Sequence, residues 1–239
     1  MSENLHLAPL ERRWSKLAPL THDDREAILA LPFRREVFAK DAYLVREGQQ
    51  SAECTLLLRG FAYRQMLLRD GGRQIINFLL PNEFVDLQAA VLGTADHNVQ
   101  SLNRSEAAII PRSALLDLAD VRPNVRTAMW ADTLIDAAIV REWVVNVGRR
   151  DSRARIAHLL CEIAVRLRNA GAAGEMFDFP VTQEQLADAT GLTPVHTNRT
   201  LQALRREGLI QLTSGSLRIL NWQALREAAD FDDLYLHQS

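Results

Sequence analysis

Cysteine is scarce in this 239-residue chain: Cys54 and Cys161 are the two present. They stand at no spacing that marks a metal site or a disulfide framework, so both are read as reduced thiols. No apolar run approaches the length needed to cross a bilayer. The opening MSENLHLAPLERRW has neither a basic leader nor an apolar core, so a cytoplasmic protein with no export signal and no membrane partner is expected. Histidine is thin as well, and His97 is the single one between Phe33 and Pro111. A cupin-like metalloenzyme needs two or three histidines and a carboxylate converging from neighbouring strands, so that class lacks its ligands. There is no glycine-rich phosphate loop, and no serine or cysteine nucleophile in a recognisable setting. The adjacent acids Asp23-Asp24 and Asp232-Asp233 read as solvated pairs. No enzyme is expected, and no metal site. A basic excess is also missing, since 28 Lys and Arg face 30 Asp and Glu, for a net charge of −2. The distribution is uneven: 149–218 holds ten basic residues against seven acidic ones, while the segment from Ile219 holds one against four. Any attraction to nucleic acid must rest on placed contacts rather than on bulk charge.

What is present is concentrated between Thr182 and Leu209, TQEQLADATGLTPVHTNRTLQALRREGL. Thr182 and Gln185 have the spacing of a capping box, and Gly191 supplies a left-handed residue to end the helix so begun. Thr193 caps a second helix, with Pro194 in its first turn, where a missing amide costs nothing. On that helix Thr197, Leu201 and Leu204 fall three and four apart and point inward. Val195, His196, Asn198, Arg199 and Gln202 fall on the other side. A merely solvated face is rich in Glu and Lys; this one carries the amide, guanidinium and imidazole groups that read base edges. After Gly208, the runs 209–212 and 217–220 alternate around Thr213-Ser214-Gly215-Ser216 as a small hairpin. An ordinary helical hairpin is the bland alternative. Helix, turn, helix and hairpin together predict a winged helix on double-stranded DNA.

Upstream, 17–31 reads as a short helical segment starting near Thr21. Between Phe33 and Pro111, short strand-like runs at 42–45, 54–58, 61–66 and 74–79 are punctuated by Gly48, Gly60 and Gly71-Gly72, which implies a β-roll. A long helix follows from about Asn124 to Val147. Ala131, Leu134, Ala138 and Val145 recur on it as a coiled-coil seam, and Met129, Ile135, Ile139, Trp143 and Val147 widen the apolar surface. A helix this apolar needs two neighbours, and the economical pair is the roll and the same helix of a second subunit. Gly148-Arg149-Arg150 reads as a hinge before another amphipathic helix from Asp151. The fold class is therefore α+β: a jelly-roll-like sensor domain (1–122), a dimerisation helix (123–148), a winged helix-turn-helix (149–222) and a tail (223–239).

This order resembles the CRP/FNR superfamily of bacterial transcriptional regulators. Val45-Arg46-Glu47-Gly48 and Leu58-Arg59-Gly60 are similar to the glycine turns of its cyclic-nucleotide-binding roll. Asp151 to Ala157 resembles the segment opening its DNA-binding domain, and Glu207-Gly208-Leu209-Ile210 the close of its helix-turn-helix. The resemblance implies a homodimer on a near-palindromic site, with RNA polymerase as a further partner. It also implies departures. Where cyclic-AMP-binding relatives hold ribose and phosphate with Gly-Glu and Arg-Ser pairs, this chain has Asp86-Leu87 and His97-Asn98. Where two hydroxyl-bearing residues meet the adenine, it has Val140 and Arg141. An aspartate repels a phosphate, and no bidentate arginine stands at the matching position, so cyclic AMP is not expected. The iron–sulfur cluster of oxygen-sensing relatives is excluded by the absence of cysteine before Cys54. Haem, with His97 or His22 as axial ligand, stays open, as does another small ligand. In the second helix Pro194-Val195 replace the Arg-Glu of relatives, while Arg199 keeps their final Arg. Arg199 is then expected on a guanine, Asn198 or His196 on a second base, and Val195 against a thymine methyl. Thr182, Gln183 and Thr193 are expected at phosphates.

Overall fold

The computed structural model describes residues 4–171, 174–213 and 215–237. The chain divides into two units, residues 1–64 with 79–137, and residues 65–78 with 138–239.

The first unit begins with two helices, α1 (Ala8–Leu17) and α2 (His22–Leu29). Thr21 starts α2 as expected: its hydroxyl accepts the Asp24 amide at 3.2 Å, and the Asp24 carboxylate accepts the Thr21 amide at 3.0 Å. The expected strand runs appear as β2 (Tyr43–Val45), β3 (Glu53–Arg59), β4 (Ala62–Leu67) and β5 (Arg73–Leu79). Three strands lacked a sequence signal: β1 (Arg34–Phe38), β6 (Asn98–Ser101) and β7 (Ser105–Pro111). β1 is charged on both faces at a sheet edge, and β7 is rich in Ser, Glu and Ala, residues of low strand preference. Yet β7 is the central strand of the antiparallel sheet β1-β7-β3, while the second sheet runs β2-β6-β4-β5. Gly60, which joins β3 to β4 at φ +85°, is obligatory, because a Cβ there would lie 2.8 Å from the Ser105 Cα and 2.9 Å from the Arg104 carbonyl.

Val45, Leu57, Ala62, Leu79, Val85 and Val99, drawn from both sheets, form one small core. A larger one gathers Leu10 and Trp14 of α1, Ile28 of α2, Ala90 of the short α3 (Ala89–Leu92), Leu56 and Ile110 of the first sheet, Leu115 of α4 (Arg112–Val121) and Val125 of the long helix α5 (Pro123–Arg149). Apolar burial alone does not hold α5 in place. Asp132, 5% exposed, accepts the Trp14 indole at 3.0 Å and the Arg13 guanidinium at 2.6 Å.

The long helix is two-faced, as expected, with a shifted register. Val125, Met129, Ile135, Ala138, Ile139 and Trp143 are buried. Ala138 was read as part of the outer seam but is only 4% exposed, so it belongs to the inner face. The exposed line is instead Thr127, Trp130, Leu134, Ala137, Arg141, Val144 and Gly148, spaced alternately by three and four. Leu134 lies on this line, with Ala131 and Val145 beside it. Nor does the expected hinge interrupt the helix, because α5 runs through Gly148 to Arg149. The break falls at Arg150, the last residue of that expected hinge, and Asp151, which caps α6 (Ser152–Asn169) by accepting the Ala154 amide at 2.8 Å.

In the second unit every residue of α6 from Ile156 to Ala164 is buried, the mark of a helix surrounded by others. Around it stand α7 (Gln183–Thr190), α8 (Pro194–Arg206) and α9 (Trp222–Ala229). The strands β8 (Met176–Asp178), β9 (Ile210–Thr213) and β10 (Ser216–Ile219) form the sheet β8-β10-β9. Residues 223–239, read from sequence as a tail, contribute most of α9 and bury Leu225, Ala229, Phe231 and Leu236. Glu162 at the centre of α6 is fully buried. Its carboxylate accepts the Trp143 indole at 3.1 Å, the Arg166 guanidinium at 2.9 Å and the Tyr235 hydroxyl at 2.8 Å.

Replacing Asp132 with Ala strands the buried Trp14 N–H and should lower stability by about 2 kcal/mol. Asp132→Asn, which keeps an acceptor, should lower it by less. Urea unfolding followed by tryptophan fluorescence separates the two, and equal losses would contradict this role for Asp132.

Candidate nucleic-acid interface

The helix-turn-helix is built as its sequence specifies. Thr182 and Gln185 close a capping box, with the Thr hydroxyl accepting the Gln185 amide at 3.2 Å and the Gln185 side chain accepting the Thr182 amide at 2.8 Å. Gly191 ends α7 at φ +65°. The Thr193 hydroxyl accepts the His196 amide at 3.2 Å and starts α8, with Pro194 in the first turn. Thr197, Leu201 and Leu204 are buried, and Thr200, unassigned from sequence, is buried with them. Val195 is 72% exposed; Thr182, Gln183, Thr193, His196, Arg199 and Gln202 are also exposed, and Asn198 is half-buried.

The outer side chains are ordered among themselves. Asn198 donates to Gln183 at 2.7 Å, and Gln202 donates to Asn198 at 2.9 Å. One polar chain thus joins the start of α7 to the middle of α8. The His196 ring lies 2.9 Å from the Ser152 hydroxyl at the start of α6. This draws His196 toward two helix N-termini, where anions are favoured. Sequence reasoning missed Ser152, whose signal was its place just after the capping Asp151. Arg199 makes no hydrogen bond or ion pair among the described residues. The expected hairpin is present as β9 and β10, with Ser214 of its turn outside the described residues. The third strand, β8, is an addition.

In the first unit, Asp86 and His97, two of the positions matched to cyclic-nucleotide contacts, are buried within reach of the Arg64 charge. Arg64, 4% exposed, donates to Asp136 of α5 at 2.7 Å and to the Val85 carbonyl at 3.0 Å. Asp86, 2% exposed, accepts the Thr55 amide at 2.7 Å, and burial pushes its carboxyl up to about 7. His97 lies 2.6 Å from Asp96 through Nδ1, and burial holds its imidazole below the usual range. His22 is exposed beside Glu26. Among the described residues no group of three or more His, Cys, Asp or Glu could hold a metal ion. Between the sheets, Asp86, Thr55, Tyr43, Glu53 and their neighbours line a polar cavity of about 250 Å³. Cys54 and Cys161 are both buried and free, and burial pushes each thiol up to about 12.

Residues 154–228 match the Crp-like helix-turn-helix domain family, and residues 35–122 match the cyclic nucleotide-binding domain family. The transcriptional activator protein FnrL of Cereibacter sphaeroides is 32% identical over 183 residues, covering 74% of this chain and 73% of FnrL. The chain belongs to the CRP/FNR family of transcriptional regulators. The nitrogen fixation regulation protein FixK of Azorhizobium caulinodans is 25% identical, over 90% of this chain and 92% of its own. The solved structure of FixK2 from Bradyrhizobium japonicum superposes with a TM-score of 0.76 at 23% identity, covering 83% of this chain and 98% of that one, and so shares its fold. As a CRP/FNR regulator the chain carries its DNA-binding element within residues 154–228 and its cyclic-nucleotide-binding-like roll within residues 35–122. No helix among the described residues is long and apolar enough to cross a membrane.

The raised Asp86 carboxyl makes the stability of the fold depend on pH. A folded-state value raised from 3.8 to about 7 means the folded chain keeps a proton the unfolded chain has lost, so this group's contribution falls as pH rises through that window. Asp86→Asn keeps the acceptor for Thr55 and removes the titration. The wild-type minus variant stability should therefore decline between pH 4 and 7 in urea titrations, and parallel profiles would refute the shift.

Proposed function

We propose that this CRP/FNR regulator binds a near-palindromic DNA site as a homodimer, reads it with α8, and takes no cyclic AMP. The observation that carries base reading is Arg199. It is an exposed guanidinium, unpaired among the described residues, on a helix anchored by Thr197, Leu201 and Leu204 and fixed at its start by Thr193. Such a group bonds O6 and N7 of a guanine in the major groove. Val195 packs on a thymine methyl. Asn198 and Gln202, coupled to each other, supply a second polar contact. Thr182, Gln183 and Thr193 meet phosphates at helix starts, and the His196–Ser152 pair supports adding His196 to that group rather than to base readers.

The exposed line on α5 supports pairing with a second copy, for Trp130, Leu134 and Val144 are each about two-thirds exposed. The acids of α5 are occupied at home: Asp132 by Arg13, Asp136 by Arg64 and Glu142 by Arg150. That leaves the line apolar apart from Arg141 and Thr127. Two such helices would place their α8 helices about one DNA turn apart, with RNA polymerase as the further partner. Against cyclic AMP stands Asp86, buried at a position matched to the residues that hold ribose and phosphate in cyclic-AMP-binding relatives, with no bidentate arginine at the other matched position, His97-Asn98.

Selection of bound duplexes from a random pool tests the reading as a whole. With the selected site, Arg199→Ala should lose about 1–3 kcal/mol of discrimination at a single base pair, read by competition gel shift. Unchanged preference would remove Arg199 from base reading. Leu134→Glu should leave the circular dichroism unaltered and shift the sedimentation coefficient to that of a monomer, with loss of tight binding. A dimer that tolerates it would displace the seam.

A further inference from the structure

The hairpin segment 65–78 lies in the second unit, and β5 is fastened there at both ends. At one end Arg166 of α6 donates to the Phe78 carbonyl at 2.7 Å. At the other end Arg73 grips Asp188 of α7, with Nε at 2.7 Å and Nη2 at 2.5 Å from the same carboxylate oxygen. Gln74 beside it donates to the Asp188 carbonyl at 2.7 Å. Asp188 is a poor local choice, because it lies in the last turn of α7, where free carbonyls already present negative charge. Arg73 offsets that charge, and Gln74 satisfies one of the carbonyls the helix end leaves without a partner.

We propose that Arg73 is a positioning residue for DNA recognition: β5 is a strap that fixes α7 on α6, and the Arg73–Asp188 pair is its buckle. The inference rests on the DNA-reading role of α8 given above. The strap leaves Thr182, Gln183 and Arg199 uncovered, so it acts by setting the angle of α7 and, through the Gln183–Asn198 bond, that of α8. It also neutralises a carboxylate that, left unpaired, adds a negative charge close to the phosphates.

The test is fluorescence anisotropy of the full-length chain on the duplex selected by the wild type. Arg73→Asp sets two carboxylates together and should weaken binding about tenfold, while the charge-swapped double variant R73D/D188R should return to within about threefold of wild type. Hydrogen exchange at 184–190 should rise in the single variant and recover in the double, a restoration that mere loss of bulk would not give. Arg73→Gln removes the pair without repulsion, guards against a misfolded R73D, and should cost about threefold. Wild-type affinity in R73D or R73Q, or a double variant as weak as R73D, overturns the strap. A wild type that selects no duplex overturns the DNA-reading role itself, so the two failures are distinguishable.

Discussion

A carboxylate without water must find all its partners in protein, and Glu162 is the point on which the second unit turns. Its donors come from α5 (Trp143), from the next turn of α6 (Arg166) and from the C-terminal segment (Tyr235). Arg166 in turn reaches the Phe78 carbonyl of β5. Directional hydrogen bonds from three elements to one buried carboxyl restrict rotation and sliding more than apolar contact does. Its loss would take this acceptor from the Trp143 indole and the Tyr235 hydroxyl and one of several acceptors from Arg166. The helix-turn-helix is a local structure, but its seat is this polar centre.

The long helix follows similar logic in both units. Its inner face mixes apolar side chains with acids that each serve a fixed partner, Asp132 for Trp14 and Arg13, Asp136 for Arg64 and Glu142 for Arg150. Charge is consumed on the inside, so the outside is free to be greasy. This inverts the common surface helix, whose acids face solvent.

The sequence made legible whatever depends on neighbours three or four residues away. Thr182 with Gln185, Thr193 with Pro194, and Gly191 in the left-handed region are chemical statements complete within one turn of chain. The inward set Thr197, Leu201 and Leu204 is likewise a matter of period. What stayed hidden were pairings across long stretches of chain, such as Arg64 with Asp136 and Arg73 with Asp188, because nothing in a residue's own surroundings names a distant partner. The seam on α5 was misread for a related reason. Ala138 and Ala137 look alike in a periodicity count, and only their burial in the folded chain, Ala138 inside and Ala137 exposed, reveals which face turns inward. β7, the middle strand of its sheet, was missed because its Ser-Glu-Ala run gains strand geometry from neighbours on both sides rather than from its own preference.

The two cysteines have a practical meaning. With each thiol pushed up to about 12 inside the fold, almost no nucleophilic sulfur exists at neutral pH while the chain is closed. Cys54 belongs to one unit and Cys161 to the other. Alkylation therefore becomes a clock with two hands: each sulfur is modified when its own surroundings open, and the two rates can be read separately from one mass spectrum.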